Sequence, residues 1–148
     1  METFENTVTI QRPAEDVFAF LANFENIPRW NYAIAATKKT SPGPVGVGTT
    51  YRQTRSIPSR SEEGFEVAVF EPMSRLAVQG QLGPFRTRTS YVLEPVGSAT
   101  RLTNKVELAP SGVLRVLAPL AVPRVRAAVA ANLGTLKQIL EGGQRDDS

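Results

Sequence analysis

From Tyr32 to Ala109 the chain is a succession of short β-compatible runs, each closed by turn-forming residues. The turns read Ser41-Pro42-Gly43-Pro44, Gly46-Val47-Gly48, Ile57-Pro58-Ser59, Glu71-Pro72-Met73-Ser74, Gly83-Pro84 and Glu94-Pro95-Val96-Gly97-Ser98. Strands punctuated at this spacing form a meandering antiparallel sheet. Six strands fit the stretch. A seventh precedes it, because Phe4, Asn6, Val8 and Ile10 alternate with Glu5, Thr7, Thr9 and Gln11, which is the period of a half-buried strand.

Helical patterns bracket the meander. After Arg12-Pro13, Val17, Phe20, Leu21 and Phe24 recur at helical spacing behind the acids Glu15 and Asp16, and a second short helical turn runs through Glu25-Asn26-Ile27 to Trp30. Beyond Pro110, Ser111 is placed to cap a long helix whose apolar stripe holds Val125, Val129, Asn132, Leu133, Leu136, Ile139 and Leu140. Pro119 and Pro123 should break or kink its first half, and Gly142-Gly143 should end it. Helices at both ends of an uninterrupted antiparallel run make an α+β fold, with one face of the sheet buried against the long helix.

The 148 residues fit one domain, expected over 1–142 with a frayed tail at 143–148. The sequence contains neither Cys nor His. Disulfides, thiolate nucleophiles, Cys/His zinc sites, His-ligated haem and Ser-His-Asp machinery are all excluded by those two absences. No metal and no cofactor is expected. The net charge is +3, and the basic residues are dispersed, with no run longer than Lys38-Lys39. Nucleic acid is recognised by a clustered basic stripe, so it is not expected as a partner. Residues 1–6 lack a basic n-region and apolar h-region, and Val113–Val125 is too short and too interrupted to span a bilayer, which makes a cytoplasmic protein the expectation.

Several segments together resemble a known family. They are Val8-x-Ile10-x-x-Pro13-Ala14-Glu15-Asp16-Val17-Phe18, Asn26-Ile27-Pro28-Arg29-Trp30, Gly43-Pro44-Val45-Gly46-Val47-Gly48-Thr49, Glu71-Pro72, Thr100-Arg101-Leu102-Thr103 and Leu136-Lys137-x-x-Leu140-Glu141. In this order they resemble the polyketide cyclase/dehydrase-like branch of the START and pollen-allergen (SRPBCC) superfamily. The resemblance implies a helix-grip fold: a seven-stranded antiparallel sheet curled around a long C-terminal helix, with two short helices between strands 1 and 2. It also implies a deep apolar cavity between sheet and helix, used for lipids, sterols or polyketides and in some members for cyclisation or dehydration. A widely reused fold does not fix function by itself.

Strand phase predicts the cavity lining. Phe85, Thr87, Thr89, Tyr91 and Leu93 share one face of their strand, and Leu102, Asn104, Val106 and Leu108 one face of the last. Phe65, Val67 and Val69 form the inner set of another strand, and Tyr51 and Gln53 of theirs, with Arg55 in the same phase. Asn6, Trp30, Leu117, Val125, Val129 and Asn132 complete the expected pocket. An apolar concavity with a few polar groups describes a small-molecule site. Each residue also has a plainer role: threonine for β-propensity, Tyr91 and Trp30 for core packing, and Asn132 beside water. Gly43–Gly48 lacks the following Lys-Ser/Thr and helix of a phosphate loop and is expected to supply turns at a mobile lip of the pocket.

Acid–base catalysis would fall to few residues. The acids lie on outward phases, at helix starts or, as with Glu62, Glu63 and Glu71, near turns, so no carboxylate pair faces inward. Tyr91, Tyr51 and Arg55 remain as catalytic candidates. The leading expectation is therefore a carrier or sensor that binds a hydrophobic small molecule: a lipid, a polyketide or an aromatic compound. The alternatives are a polyketide cyclase/dehydratase-like enzyme using the same cavity, and an accessory protein with a vestigial cavity. Ala127, Ala130, Ala131 and Gly134 offer a small-residue face for a homodimer through the long helix. The apolar Val113–Val122 segment is expected to act as a lid, ahead of membrane contact.

Overall fold

The computed structural model describes residues 2–57, 59–82, 85–110 and 114–146, with side chains described for all of these except 82, 85, 110, 114–121 and 143–146. Its elements are β1 (Glu2–Ile10), α1 (Ala14–Ala22), a 3-10 turn (Phe24–Asn26), α2 (Ile27–Trp30), β2 (Ile34–Lys39), β3 (Thr50–Arg55), β4 (Ser61–Glu71), β5 (Arg75–Leu82), β6 (Phe85–Val96), β7 (Ala99–Pro110) and α3 (Leu114–Asp146). The seven strands form one antiparallel sheet in the order β1-β7-β6-β5-β4-β3-β2. This is the helix-grip architecture expected from the sequence.

Why the sheet curls can be read strand by strand. Pairing shifts by one residue between Ile34 and Ala36 on β2 and between Val67 and Val69 on β4, and each such bulge adds twist and bend. At Gly80 on β5 a Cβ would sit 2.4 Å from the Gly64 carbonyl oxygen and 2.7 Å from Phe65 Cβ, so only glycine lets β4 and β5 come this close. Gly43 and Gly48 supply the expected turns, at φ 89° and 91°, but none of residues 43–48 lines the cavity described below. The Gly48 amide donates to the Val67 carbonyl at 2.8 Å and the Val67 amide to the Thr49 carbonyl at 2.9 Å, which ties the loop to the β4 bulge.

The concave face holds the core. Ile10, Val17, Phe18, Leu21, Leu76, Leu102, Leu133, Leu136 and Leu140 are buried in one cluster that joins α1, the sheet and the second half of α3. Burying side chains of this kind contributes roughly 1.5–3 kcal/mol each. The end of α3 is also tied by polar contacts. Lys137 Nζ donates to the Thr9 carbonyl and to Glu141, whose carboxylate accepts the Gln11 amide at 2.8 Å. Arg12 donates to the Leu140 carbonyl at 2.8 Å and holds Asp16 at 2.8 Å.

Two expectations for α3 need correction. Of the break or kink expected at Pro119 and Pro123, the break does not occur: the helix continues on both sides of each, and Pro123 sits on the exposed side. Nor does it stop at Gly142-Gly143. Gly142 is not in the left-handed conformation of a terminating glycine, and helix extends through residues 143–146, the expected tail. Ser111, the expected cap, lies outside the described residues, as do the side chains of the expected Val113–Val122 lid segment up to Ala121.

Candidate functional site

The core cluster fills only one end of the grip. At the other, between the sheet, the α1–α2 corner and the middle of α3, lies a cavity of ≈ 1010 Å³. This is at the upper end of the range for small-molecule sites. Trp30 and Phe24 line it from the corner, Thr87, Thr89, Tyr91 and Asn104 from β6 and β7, and Val125, Val129 and Asn132 from α3. Gln53 and Arg55 line it from β3. The sheet residues arrive there through unbroken alternation: Tyr91 stands directly across from Asn104, and Thr89 from Val106.

Other expected lining residues are elsewhere. Val69 is turned out of the concave face, because Ala68 is the extra residue of the β4 bulge and flips the phase beyond it. Val69 consequently pairs with Ala77, and Phe70 takes the inner position opposite Leu76, with its ring edge-on to Phe18 at 5.3 Å. Val67 points inward but is 1% exposed within the packed cluster beside α1 and does not reach the cavity. Tyr51 is likewise removed from it, stacked on Phe65 at 5.0 Å and edge-on to Phe24 at 5.0 Å, so it is a core residue. Asn6 lies on the inner phase of β1, but α3 packs directly over that edge strand. Its amide donates to the Arg126 carbonyl at 3.4 Å, beside a shallow separate groove. The side chains of Phe85 and Leu117 lie outside the described residues.

Behind the polar fittings of the cavity stands one acid whose inward phase the turn-based reading did not draw out. Glu63 does lie near a turn, as the third residue of β4 after the β3–β4 connection, but its side chain faces inward. It stands opposite Gln53 on the concave face and is 6% exposed. Arg55 grips it with two bonds, Nε to Oε2 at 2.7 Å and an Nη to Oε1 at 3.2 Å, and Gln53 donates to it at 3.0 Å. Counting back in twos from Val67 and Phe65 reaches Glu63, so the signal was present in the alternation. The fork-to-fork geometry compensates the burial of both charges. Arg124 adds an exposed cation at the rim, and no carboxylate lines the cavity itself among the described residues.

Tyr91 is 9% exposed, and burial raises its phenol well above the ordinary tyrosine value, so at neutral pH it is an uncharged donor and cannot serve as a base. Two other cavity groups are incompletely bonded. Asn104 Nδ2 donates to the Ser90 carbonyl at 3.3 Å, while Asn104 Oδ1 and Asn132 Oδ1 are buried and have no hydrogen-bond partner among the described residues. Among the described residues no group of three or more acidic side chains could hold a metal ion, and no helix is long and apolar enough to cross a membrane.

Known structures share this architecture. A protein of Thermus thermophilus, TTHA0849, superposes with a TM-score of 0.79 at 16% identity, over 96% of this chain and 99% of that one. The di-domain aromatase/cyclase StfQ of the steffimycin biosynthetic pathway gives 0.78 at 13% identity, covering 99% of this chain and 52% of its own. The ZhuI aromatase/cyclase of Streptomyces sp. R1128 gives 0.69 at 14% identity, over 93% of this chain and 94% of that one. No curated protein matches the sequence. The profile of a single family spans residues 1–141, and the chain belongs to that family: polyketide cyclase/dehydrase and lipid transport.

Proposed function

We propose that the protein binds a hydrophobic small molecule, a lipid, polyketide or aromatic compound, in the cavity between the sheet and α3, as a carrier or sensor. The observation that carries this reading is the ≈ 1010 Å³ hollow itself, apolar over most of its wall and furnished with a few buried polar groups. A core with no ligand to accommodate gains nothing from such a void, since unfilled volume forfeits contacts. Native mass spectrometry of freshly purified protein, followed by titration with an environment-sensitive naphthalene dye, tests it. A co-purifying small molecule, or saturable dye uptake abolished by Val129→Trp, is the expected result. No bound mass and no dye uptake would overturn the proposal.

A second reading, cyclisation or dehydration of a poly-ketone chain in the same space, is supported by the Arg55 guanidinium on the cavity wall and by the names of the aromatase/cyclase structures above. The acidic methylene between two ketones would lose its proton to solvent, Arg55 would stabilise the enolate, and Tyr91 would donate a proton to the carbonyl oxygen that the enolate carbon attacks, while the wall folds the chain into position. Turnover of a poly-β-ketone thioester that falls at least ten-fold in both Arg55→Lys and Tyr91→Phe, with binding retained, would favour this reading. Binding without turnover leaves the carrier.

A further inference from the structure

Asn104 and Asn132 face the cavity from opposite sides, one from β7 and the other from α3, and are 1% and 6% exposed. The orientation of the Asn104 amide is set by its surroundings: Nδ2 must face the Ser90 carbonyl, because turning the amide over would bring two acceptors together. Its Oδ1 is therefore left as a buried acceptor, and the Asn132 amide presents a second buried polar atom without a partner among the described residues. Buried polar atoms of folded proteins almost always have partners. Two buried polar atoms lining one hollow, one of them fixed as an acceptor, call for a donor that the described residues do not supply.

The chemistry of that donor is narrowed by its surroundings. The charged residues lining the cavity, among those described, are Arg55 and Arg124, both cations. Arg55 is already neutralised by Glu63, so an ammonium group would find no free carboxylate on the wall and would meet the like charge of Arg124. Val106, Val129 and Leu133 line the wall beside the two asparagines, so the body that carries the donor is apolar. A neutral hydroxyl on a ring system satisfies both conditions. It can donate to one Oδ1 and still accept a bond from the Tyr91 phenol, which has no other partner among the described residues.

We infer that Asn104 and Asn132 form a subsite that recognises a hydroxyl group on an aromatic or polycyclic ligand, selecting hydroxylated rings over their O-alkylated or unsubstituted counterparts. The inference rests on the cavity being a ligand site, as proposed above, and specifies the chemical class of that ligand. A site arranged to bond a hydroxyl discriminates against analogues lacking it because its own polar atoms are then buried unpaired.

The test compares 2-naphthol with 2-methoxynaphthalene, which keeps the ring and the oxygen but has no donor, by calorimetric titration of the intact protein. The wild type should bind 2-naphthol roughly ten-fold more tightly. That preference should vanish in Asn104→Leu and shrink in Asn132→Leu, with 2-methoxynaphthalene bound by both variants at least as well as by the wild type. Because the wild-type comparison needs no substitution, misfolding of a variant cannot shield the inference. Equal binding of the two probes by the wild type would mean that a fixed water satisfies the asparagines, overturning the subsite while leaving the cavity reading intact. Survival of the preference in both variants would do the same. Binding of neither probe would overturn both proposals.

Discussion

The guanidinium of Arg55 and the carboxylate of Glu63 meet at 2.7 Å while only 12% and 3% of their side chains reach solvent. A buried pair of this kind contributes little net stability as a pair, but each member depends on the other. Arg55→Ala should lower unfolding stability by about 3–5 kcal/mol in urea titration, because it removes the bidentate guanidinium that offsets the burial of the Glu63 carboxylate. The double variant Arg55→Met with Glu63→Leu should recover most of that loss. If Arg55→Ala alone costs less than about 1 kcal/mol, the guanidinium is not what offsets the burial of Glu63. Residues such as these mark how far alternation carries. Thr87, Thr89, Tyr91 and Asn104 can be placed from the sequence because nothing interrupts the period of two along β6 and β7. Val69 cannot, because the extra residue at Ala68 has no compositional signature. Asn6 is in the correct phase, yet whether a helix covers an edge strand is decided by tertiary packing that no local pattern encodes.

Among the elements, α3 and the β4–β5 pair carry most of the geometry. The Glu141 carboxyl is held below its ordinary value, chiefly by its hydrogen bond with Lys137 and then by the Gln11 amide. Because the folded value is the lower one, this latch contributes fully above the ordinary carboxylate range, and its contribution is lost as pH falls through the depressed value. Glu141→Gln should therefore cost under about 1 kcal/mol at pH 7, as expected of a partly exposed ion pair, and should flatten the decline in stability between about pH 5 and pH 3. Thermal melts of both proteins across that range check it; parallel curves would contradict the latch. On the sheet, Gly80→Ala should destabilise by about 1–3 kcal/mol, since the new methyl group meets the backbone at Gly64 and a strand must shift. The strands and helices were legible from turn residues and periodicity. The continuation of α3 through Pro119, Pro123 and Gly142 was not, since local propensity is a weak prior once an element has sheet to pack against.

The molecule as a whole joins a packed end, where α1, the sheet and the last turns of α3 close on leucine and phenylalanine, to a hollow end near the α1–α2 corner. Stability should therefore reside in the first and ligand capacity in the second. Ala128→Leu, on the wall of the hollow, should raise stability by about 0.5–2 kcal/mol while reducing dye uptake at least several-fold, a separation read by urea titration alongside fluorescence. A loss of both together would place Ala128 in the packed end instead. The glycine contact between β4 and β5 also has a bearing on the hollow, since Gly80 forms part of its wall. Elsewhere the lining can swing through rotamers to suit different occupants. Main chain without a side chain has no such adjustment, and here it already touches the neighbouring strand. Along that side the enclosure works as a fixed gauge, and homologous guests that grow by one substituent towards Gly80 should fail abruptly, not by degrees.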